Sequence, residues 1–317
     1  MIRYINEKEV TQILTMEKTV ELVEQALRDR AEGRAIDTPR VRTAIPAGSL
    51  QIMQGAVPGM NLIGYKAYYS ARSKGTRYFV HLFNAETREP TAIIEASHLG
   101  MVRTGAASGV AARYLARKNS AVVGMIGAGK QAIGQLEAVC VTRKIREVRV
   151  FSRTPERAQK FCDAMGAKLG VKIYPVASAA NAVRGADIIN VITKASEPVL
   201  EGAWLEPGQH INAAGGNSFS RRELDEAAVK RSYVVVDARG TARNESGDLL
   251  PLVKAGVLDW DTLPELGEVI VGSAPGRTSD QQITLYESHG MCIQDLYPAQ
   301  HILEVARAKN LGIDLPI

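Results

Sequence analysis

The sequence predicts an α/β protein: a Rossmann-type doubly wound parallel sheet joined to a second, α+β domain. Three observations carry this. An apolar run ending at Ile126 passes directly into Gly127, Gly129 and Ala132, spaced as G-x-G-x-x-A, and a helical pattern follows over 133–141. That is the strand, tight turn and helix of a dinucleotide site. After it, short apolar strands alternate with helical stretches, as a parallel sheet requires. Before it, several strands follow one another in succession, which is a different architecture in the same chain.

With 317 residues and 45% hydrophobic content, the chain can bury a large core and divide into two domains. The net charge of +5 is spread along it, with no run of five like charges and no basic stripe interleaved with aromatics. Nucleic acid is therefore not an expected partner. No apolar stretch approaches the length that crosses a bilayer, and residues 1–10 have no signal-peptide core, so no membrane partner is expected. Cys140, Cys162 and Cys292 stand far apart without metal-ligand or redox spacing. Reduced thiols, no metal site and a cytoplasmic location are the expectation.

Residues 1–32 open with a short strand and continue as an amphipathic helix, with Val20, Val23, Ala26 and Leu27 at helical spacing and Gly33 as its end. Over 38–46 an extended strand puts Arg40 and Arg42 on one face by its period of two. Two guanidinium groups there read as a carboxylate clamp or as a solvated basic strand. Strands at 51–54 and 62–69 flank a Pro58-Gly59 turn. Lys66 lies inside the second, among apolar and aromatic neighbours, and reads either as a snorkelling edge residue or as a buried amine held for chemistry. Strands at 78–83 and 91–95, joined by a polar turn over 84–90, complete an antiparallel meander. A helix at 96–115, rich in alanine and glycine, bridges the domains. It carries Arg103 and Thr104, the arginine reaching a cofactor phosphate or the substrate, or standing as an exposed structural residue.

In the nucleotide fold, Gly127 permits the turn, Gly129 lets backbone approach a pyrophosphate and Ala132 lets helix and strand pack closely. Ala128, Lys130 and Gln131 complete the loop that presents the helix N-terminus to the phosphates. The second strand, 147–152, ends in Ser152-Arg153-Thr154-Pro155, with Thr154 a good N-cap and Pro155 suited to the first turn. An NAD site usually places an acidic residue here. A guanidinium and two hydroxyls instead favour the extra phosphate of NADP(H), with NAD(H) the alternative.

A helix over 178–184 follows a strand at 172–175. Strand 186–193 ends in Thr193, and strand 209–214 delivers Gly215-Gly216-Asn217-Ser218. Ligands of open sheets bind beyond such carboxyl ends, so Thr193 and Asn217 are placed near a nicotinamide, or else cap their loops. A strand at 233–237, a last strand after 276 and helices at 293–296 and 299–311 close the chain. The nucleotide fold is complete without the terminal helix, which is expected to return to the first domain. The domains are accordingly 1–112 with 293–317, and 113–292.

With these residues in place, the chain resembles the ornithine cyclodeaminase/mu-crystallin family over nearly its whole length. The likeness rests on Gly64-Tyr65-Lys66, on Glu95 with Arg103-Thr104-Gly105-Ala106-Ala107, and on Ile126 through Ala132. It continues through Gly208-Gln209-His210-Ile211-Asn212-Ala213, Arg222-Glu223-Leu224-Asp225, Glu245-Ser246-Gly247-Asp248 and Gln282-Ile283-Thr284-Leu285. The resemblance implies a homodimer whose first domains join their sheets into a barrel-like interface, with a Rossmann domain on each side. It implies hydride transfer between a nicotinamide and the α carbon of a small amino or imino acid. It places the carboxylate-binding arginine at Arg40 or Arg42, the catalytic lysine at Lys66 and the cofactor-contacting arginine at Arg103.

Asn217 departs from part of that family. Ornithine cyclodeaminases and the related alanine dehydrogenases have an aspartate there, and an amide accepts no proton at neutral pH. Ketimine reductases that resemble mu-crystallin also lack the aspartate. The expectation is thus an NAD(P)H-dependent reductase of a small imino acid, ketimine or cyclic imine, with Asn217 orienting by hydrogen bonding. Ornithine cyclodeaminase and alanine dehydrogenase are the alternatives on the same fold, and a non-catalytic protein that binds NADPH or a small ligand is the alternative of another class. Loops at 70–77 and 218–222 are expected to shape the substrate pocket.

Overall fold

The computed structural model describes residues 1–71 and 75–316. Of the expected pocket loop at 70–77, residues 72–74 lie outside the described residues. The chain opens with β1 (Ile2–Ile5), α1 (Glu7–Ile13), α2 (Met16–Ala31), β2 (Ile36–Ile45), β3 (Gly48–Val57), β4 (Leu62–Ala71), β5 (Gly75–Asn84), β6 (Pro90–Glu95) and α3 (Ser97–Leu115). Then come β7 (Val122–Ile126), α4 (Lys130–Thr142), β8 (Glu147–Phe151), α5 (Pro155–Leu169), β9 (Lys172–Pro175), α6 (Ala179–Val183), β10 (Ile188–Val191) and β11 (His210–Ala213). It closes with α7 (Glu226–Lys230), β12 (Tyr233–Val236), α8 (Arg239–Glu245), α9 (Leu250–Lys254), α10 (Leu266–Val271), β13 (Thr284–Glu287), α11 (Ile293–Ala308) and β14 (Ile313–Leu315). Two compact units result, Met1–Arg103 with Gly290–Ile317, and Thr104–His289.

The first unit is built on a seven-stranded sheet ordered β14-β1-β6-β5-β4-β3-β2. Strands β2 to β6 form an antiparallel meander, and β1 joins β6 in parallel. Alternation decides the faces. Met53 and Val57, Leu62 and Tyr68, Val80 and Leu82 are buried, whereas Leu50, Ile52, Ile63 and Tyr69 are exposed. Helix α11 lies close on the buried face because Gly55 and Gly64 have no side chain there; a Cβ at Gly64 would stand 2.9 Å from Leu296.

Two helical expectations are corrected in this unit. The N-terminal helix is two helices, because Leu14 is extended and the Thr15 hydroxyl accepts from Lys18 N to start α2 afresh. The two C-terminal helices are one. Pro298 removes a single backbone bond near the start of α11, and burial of Leu296, Ala299, Ile302 and Leu303 holds the helix through it.

The second unit contains a seven-stranded parallel sheet ordered β12-β13-β11-β10-β7-β8-β9. From β7 the chain winds outward to β9 and then returns to β10 on the other side of β7. The order therefore reverses between β7 and β10, at the switch point where open sheets bind ligands. Neighbouring residues of one strand feed separate cores: Met125 joins Leu136, Val139, Val148 and Phe161, while Ile126 joins Val191, Ile211 and Leu252. The later turns of α3 pack tightly on α4, since a Cβ at Gly105 would fall 2.0 Å from Gly134 O and one at Gly109 2.9 Å from Ala138 Cβ. The units consequently divide inside α3, after Arg103, and not at 112; the second division falls after His289, and not after 292.

Candidate active site

In the first unit Lys66 sits in the middle of the meander, paired with Met53 on β3 and Val80 on β5. Gly64, Lys66 and Tyr68 share the buried face of β4, which leaves Lys66 only 2% exposed. It is a buried amine and no snorkelling edge residue. Its Nζ donates to Asp295 Oδ1 at 2.8 Å and lies 5.5 Å from the centre of the Tyr78 ring. The absence of a side chain at Gly100 leaves room for it, as a Cβ there would come within 3.1 Å of Nζ.

Arg103, also buried, donates its Nε to the same Asp295 oxygen at 3.0 Å and its Nη1 to Gln294 Oε1 at 3.3 Å. Gly290, at φ +85°, is required beside it, because a Cβ would stand 2.6 Å from Arg103 Nη1. Two cations thus share one buried carboxylate. Burial drives the Lys66 ammonium down, Asp295 raises it, and the charges of Arg103 and Arg40 lower it again, leaving a pKa of about 8.

The two strand arginines differ in depth. The β2 register shifts between Thr38 and Val41, a bulge that accommodates Pro39. Arg40, within it, is buried and its charge acts on Lys66. Arg42 is exposed and sits opposite Gln51, whose Oε1 accepts from Arg42 Nε at 3.3 Å and from the Tyr68 hydroxyl at 2.7 Å. The fold therefore brings Arg40, Lys66 and Arg103 together and holds Arg42 toward solvent.

In the second unit the glycine turn has the required geometry. Gly127 adopts φ +115°, and a Cβ there would lie 2.3 Å from Ile192 O. Gly129 is the N-cap of α4, no side chain caps that helix, and nothing lies within 4 Å of the position its Cβ would take. Ala132 is buried behind it, Ala128 and Gln131 are half-buried and Lys130 is exposed. A space bounded by backbone amides and a positive helix end suits a pyrophosphate.

At the end of β8, the Ser152 hydroxyl accepts from Thr154 N at 3.3 Å, and Arg153 and Thr154 are exposed. Thr154 occupies the N-cap of α5 without a side-chain capping bond, so the expectation of a capping hydroxyl is corrected; Pro155 and Glu156 supply the helix start instead. Thr104 O accepts from Gln135 Nε2 at 3.3 Å. Thr193 donates both its N, at 2.5 Å, and its hydroxyl, at 2.6 Å, to Glu223 Oε1. Asn217 is exposed in the loop that follows β11.

Sequence reasoning missed the acids and the histidine that anchor both units. Asp295 and Gln294 lie on a stretch that reads as a short apolar helix, and a carboxylate between Ile293 and Leu296 was the available signal. In the second unit His289 lies 3.5 Å from Asp237 and 3.3 Å from Glu287, all buried. Burial alone would lower the imidazole, but the two carboxylates raise it to about 10, so it is charged at neutral pH.

The model of the ornithine cyclodeaminase/mu-crystallin family matches residues 3–310. This chain belongs to that family. Within the ornithine cyclodeaminase/mu-crystallin family it is 35% identical over 320 residues to a Delta(1)-pyrroline-2-carboxylate reductase of Bacillus cereus, spanning 97% of this chain and 98% of that one. It is 34% identical over 316 residues to the alanine dehydrogenase of Archaeoglobus fulgidus, spanning 97% and 96%. The solved structure of Thermococcus litoralis Delta(1)-pyrroline-2-carboxylate reductase in complex with NADH and L-proline matches with a TM-score of 0.94 at 34% identity, over 99% of this chain and 100% of that one. No helix among the described residues is long and apolar enough to cross a membrane.

Proposed function

We propose that this family member is an NAD(P)H-dependent reductase of a small imino acid, with pyrroline-2-carboxylate as the reference substrate. The observation that carries the reading is the buried cluster in which Asp295 holds Lys66 at 2.8 Å and Arg103 at 3.0 Å, with the charge of Arg40 beside them. The first unit is the substrate unit and the second the dinucleotide unit. In this mechanism Arg40 grips the carboxylate, for which a guanidinium supplies paired donors, and exposed Arg42 is the second candidate for that role. Lys66, with a pKa of about 8, is mostly ammonium at pH 7 and gives up its proton readily, so it protonates or polarises the imine nitrogen. Asp295 holds that ammonium in place, and Asn217 orients the substrate by hydrogen bonding.

The residues around Gly129 fit a dinucleotide: the space a Cβ would fill is open, and the N-terminus of α4 has no side-chain cap. When bound, the nicotinamide supplies the hydride that reaches the α carbon. Exposed Arg153, with Ser152 and Thr154, supports NADP(H). The NADH in the Thermococcus litoralis relative favours NAD(H) as a second reading. The exposed apolar face of the first sheet, with Leu50, Ile52, Ile63 and Tyr69 beside Val41 and Ile45 of the edge strand, supports a homodimer.

The test is oxidation of NADPH and of NADH by the purified protein with pyrroline-2-carboxylate, run beside pyruvate with ammonia. Consumption of NADPH on the cyclic imine is expected. An inert imine with consumption of NADH on pyruvate and ammonia would make it an alanine dehydrogenase, and tight NADPH binding without turnover on any imine would make it a binding protein.

A further inference from the structure

Two motifs of this chain, Arg222-Glu223-Leu224-Asp225 and Glu245-Ser246-Gly247-Asp248, play no part in the chemistry above, yet they interlock. Asp248 Oδ1 accepts from the backbone N of Glu223 at 2.7 Å and of Leu224 at 2.9 Å. Gly247 faces Arg221 so closely that a Cβ would stand 2.0 Å from its carbonyl oxygen. The segment so fixed carries a fully buried carboxylate, that of Glu223. One of its oxygens accepts from Thr193 N and the Thr193 hydroxyl, in the loop after β10. The other accepts from Gly215 N at 2.7 Å, in the loop after β11.

A single side chain therefore ties together the loops that leave the carboxyl ends of two adjacent parallel strands, the region where an open sheet binds its ligand. The contact is close as well as bonded, because a Cβ on Gly215 would lie 2.4 Å from Thr193 O and 2.5 Å from Glu223 Oε1. The second loop, Ala214-Gly215-Gly216, has the backbone freedom of two glycines and holds one spacing only if something anchors it. Burial pushes the Glu223 carboxyl up to about 7, while the donors of Thr193 and Gly215 pull it back down and Glu287 raises it further. A buried carboxyl is costly to keep, and here the donors Thr193 N, the Thr193 hydroxyl and Gly215 N offset that cost.

We propose that Glu223 is a positioning residue for the nicotinamide half of the dinucleotide, locking the loops after β10 and β11 at the spacing the ring requires. This rests on the reading of the second unit as the dinucleotide unit. The adenosine half is served by the Gly127–Ala132 turn and the end of β8, so its binding is expected to change little. Glu223→Gln keeps the shape of the side chain, but its amide nitrogen cannot accept, so one loop loses its acceptor.

The experiment compares, by calorimetry, binding of whichever of NADH and NADPH the wild type holds more tightly with binding of the matching ADP-ribose fragment that lacks nicotinamide. Glu223→Gln is expected to weaken the dinucleotide about tenfold, the scale of one charge-assisted hydrogen bond, and to leave the fragment within about twofold. The unchanged fragment also shows that the variant is folded. Equal weakening of both ligands, or of neither, overturns the inference. Should Glu223→Gln fail to fold, Thr193→Val, which removes only the hydroxyl donor, is expected to show the same selectivity at about threefold. A wild type that binds neither dinucleotide overturns both this inference and the reading beneath it.

Discussion

Replacing Asp295 with asparagine removes a carboxylate that holds both Lys66 and Arg103, at 2.8 and 3.0 Å, while keeping the shape of the side chain. An opposite charge at such a distance is worth about 1–3 pKa units to the group it faces. Lys66 stands at about 8 with Asp295 present. Without it the ammonium falls to about 6, taking two units, or about 2.7 kcal/mol, as the central case. The repulsion of Arg103 and Arg40 acts in the same direction. At pH 7.5 the charged fraction of Lys66 then drops from roughly three quarters to roughly 3%, which is a loss of about 25-fold in the proton donor. The assay is kcat/KM for imine reduction from pH 5 to pH 9 in wild type and Asp295→Asn. Protonation of the substrate is common to both, so the difference between the profiles reports the lysine. The basic limb should move about two units toward acid, with the variant approaching wild-type activity near pH 5. A loss of the same size at every pH would instead make Asp295 a structural residue with no hold on the Lys66 proton.

Other outcomes follow from the geometry. Gly129→Ala should fold normally, since nothing lies within 4 Å of the added Cβ, yet lose dinucleotide affinity on titration with NADPH; Gly127→Ala, at φ +115° and 2.3 Å from Ile192 O, should lower stability by about 1–3 kcal/mol in urea unfolding. Arg40→Gln should raise the KM for the imino acid at least tenfold, whereas exposed Arg42→Gln should change it about threefold or less, measured by steady-state kinetics. His289 has a folded pKa of about 10 against about 6.5 unfolded, so the native state binds the extra proton between those values. Its stabilisation is full below pH 6.5 and is lost as pH rises through 10, at no more than about 1.4 kcal/mol per pH unit. His289→Gln should lower stability by about 3–5 kcal/mol at pH 7 and flatten that slope, and urea unfolding with an unchanged slope would contradict the assignment.

The parallel sheet was legible because its strands are short apolar runs ended by diagnostic turns, and Gly127 and Gly129 take the conformations their spacing implies. Lys66 was legible as a candidate, but its depth was not. A lysine in an alternating strand reads the same whether its face is covered or open, and the cover here is α11, more than two hundred residues away in sequence. Asp295 stayed hidden for the same reason, since its partners are on β4 and α3 and no local pattern pairs them. Arg40 and Arg42 differ in depth although Arg42 pairs with Gln51, on the face of β3 that carries Met53 opposite Lys66, and residue type alone does not tell them apart. The break between α1 and α2 and the continuity of α11 through Pro298 show local propensity giving way, in one case to a capping hydroxyl and in the other to burial.

The most direct test of the central claim follows the hydride itself. The protein is given pyrroline-2-carboxylate and whichever of NADPH and NADH it binds more tightly, deuterated at the transferring position of the nicotinamide, and the amino acid formed is analysed by mass spectrometry, with Lys66→Ala run in parallel. Proline carrying one deuterium at its α carbon is expected from the wild type, and almost none from a variant that still binds the dinucleotide. Unlabelled proline, no proline, or undiminished labelling by Lys66→Ala would contradict the central claim.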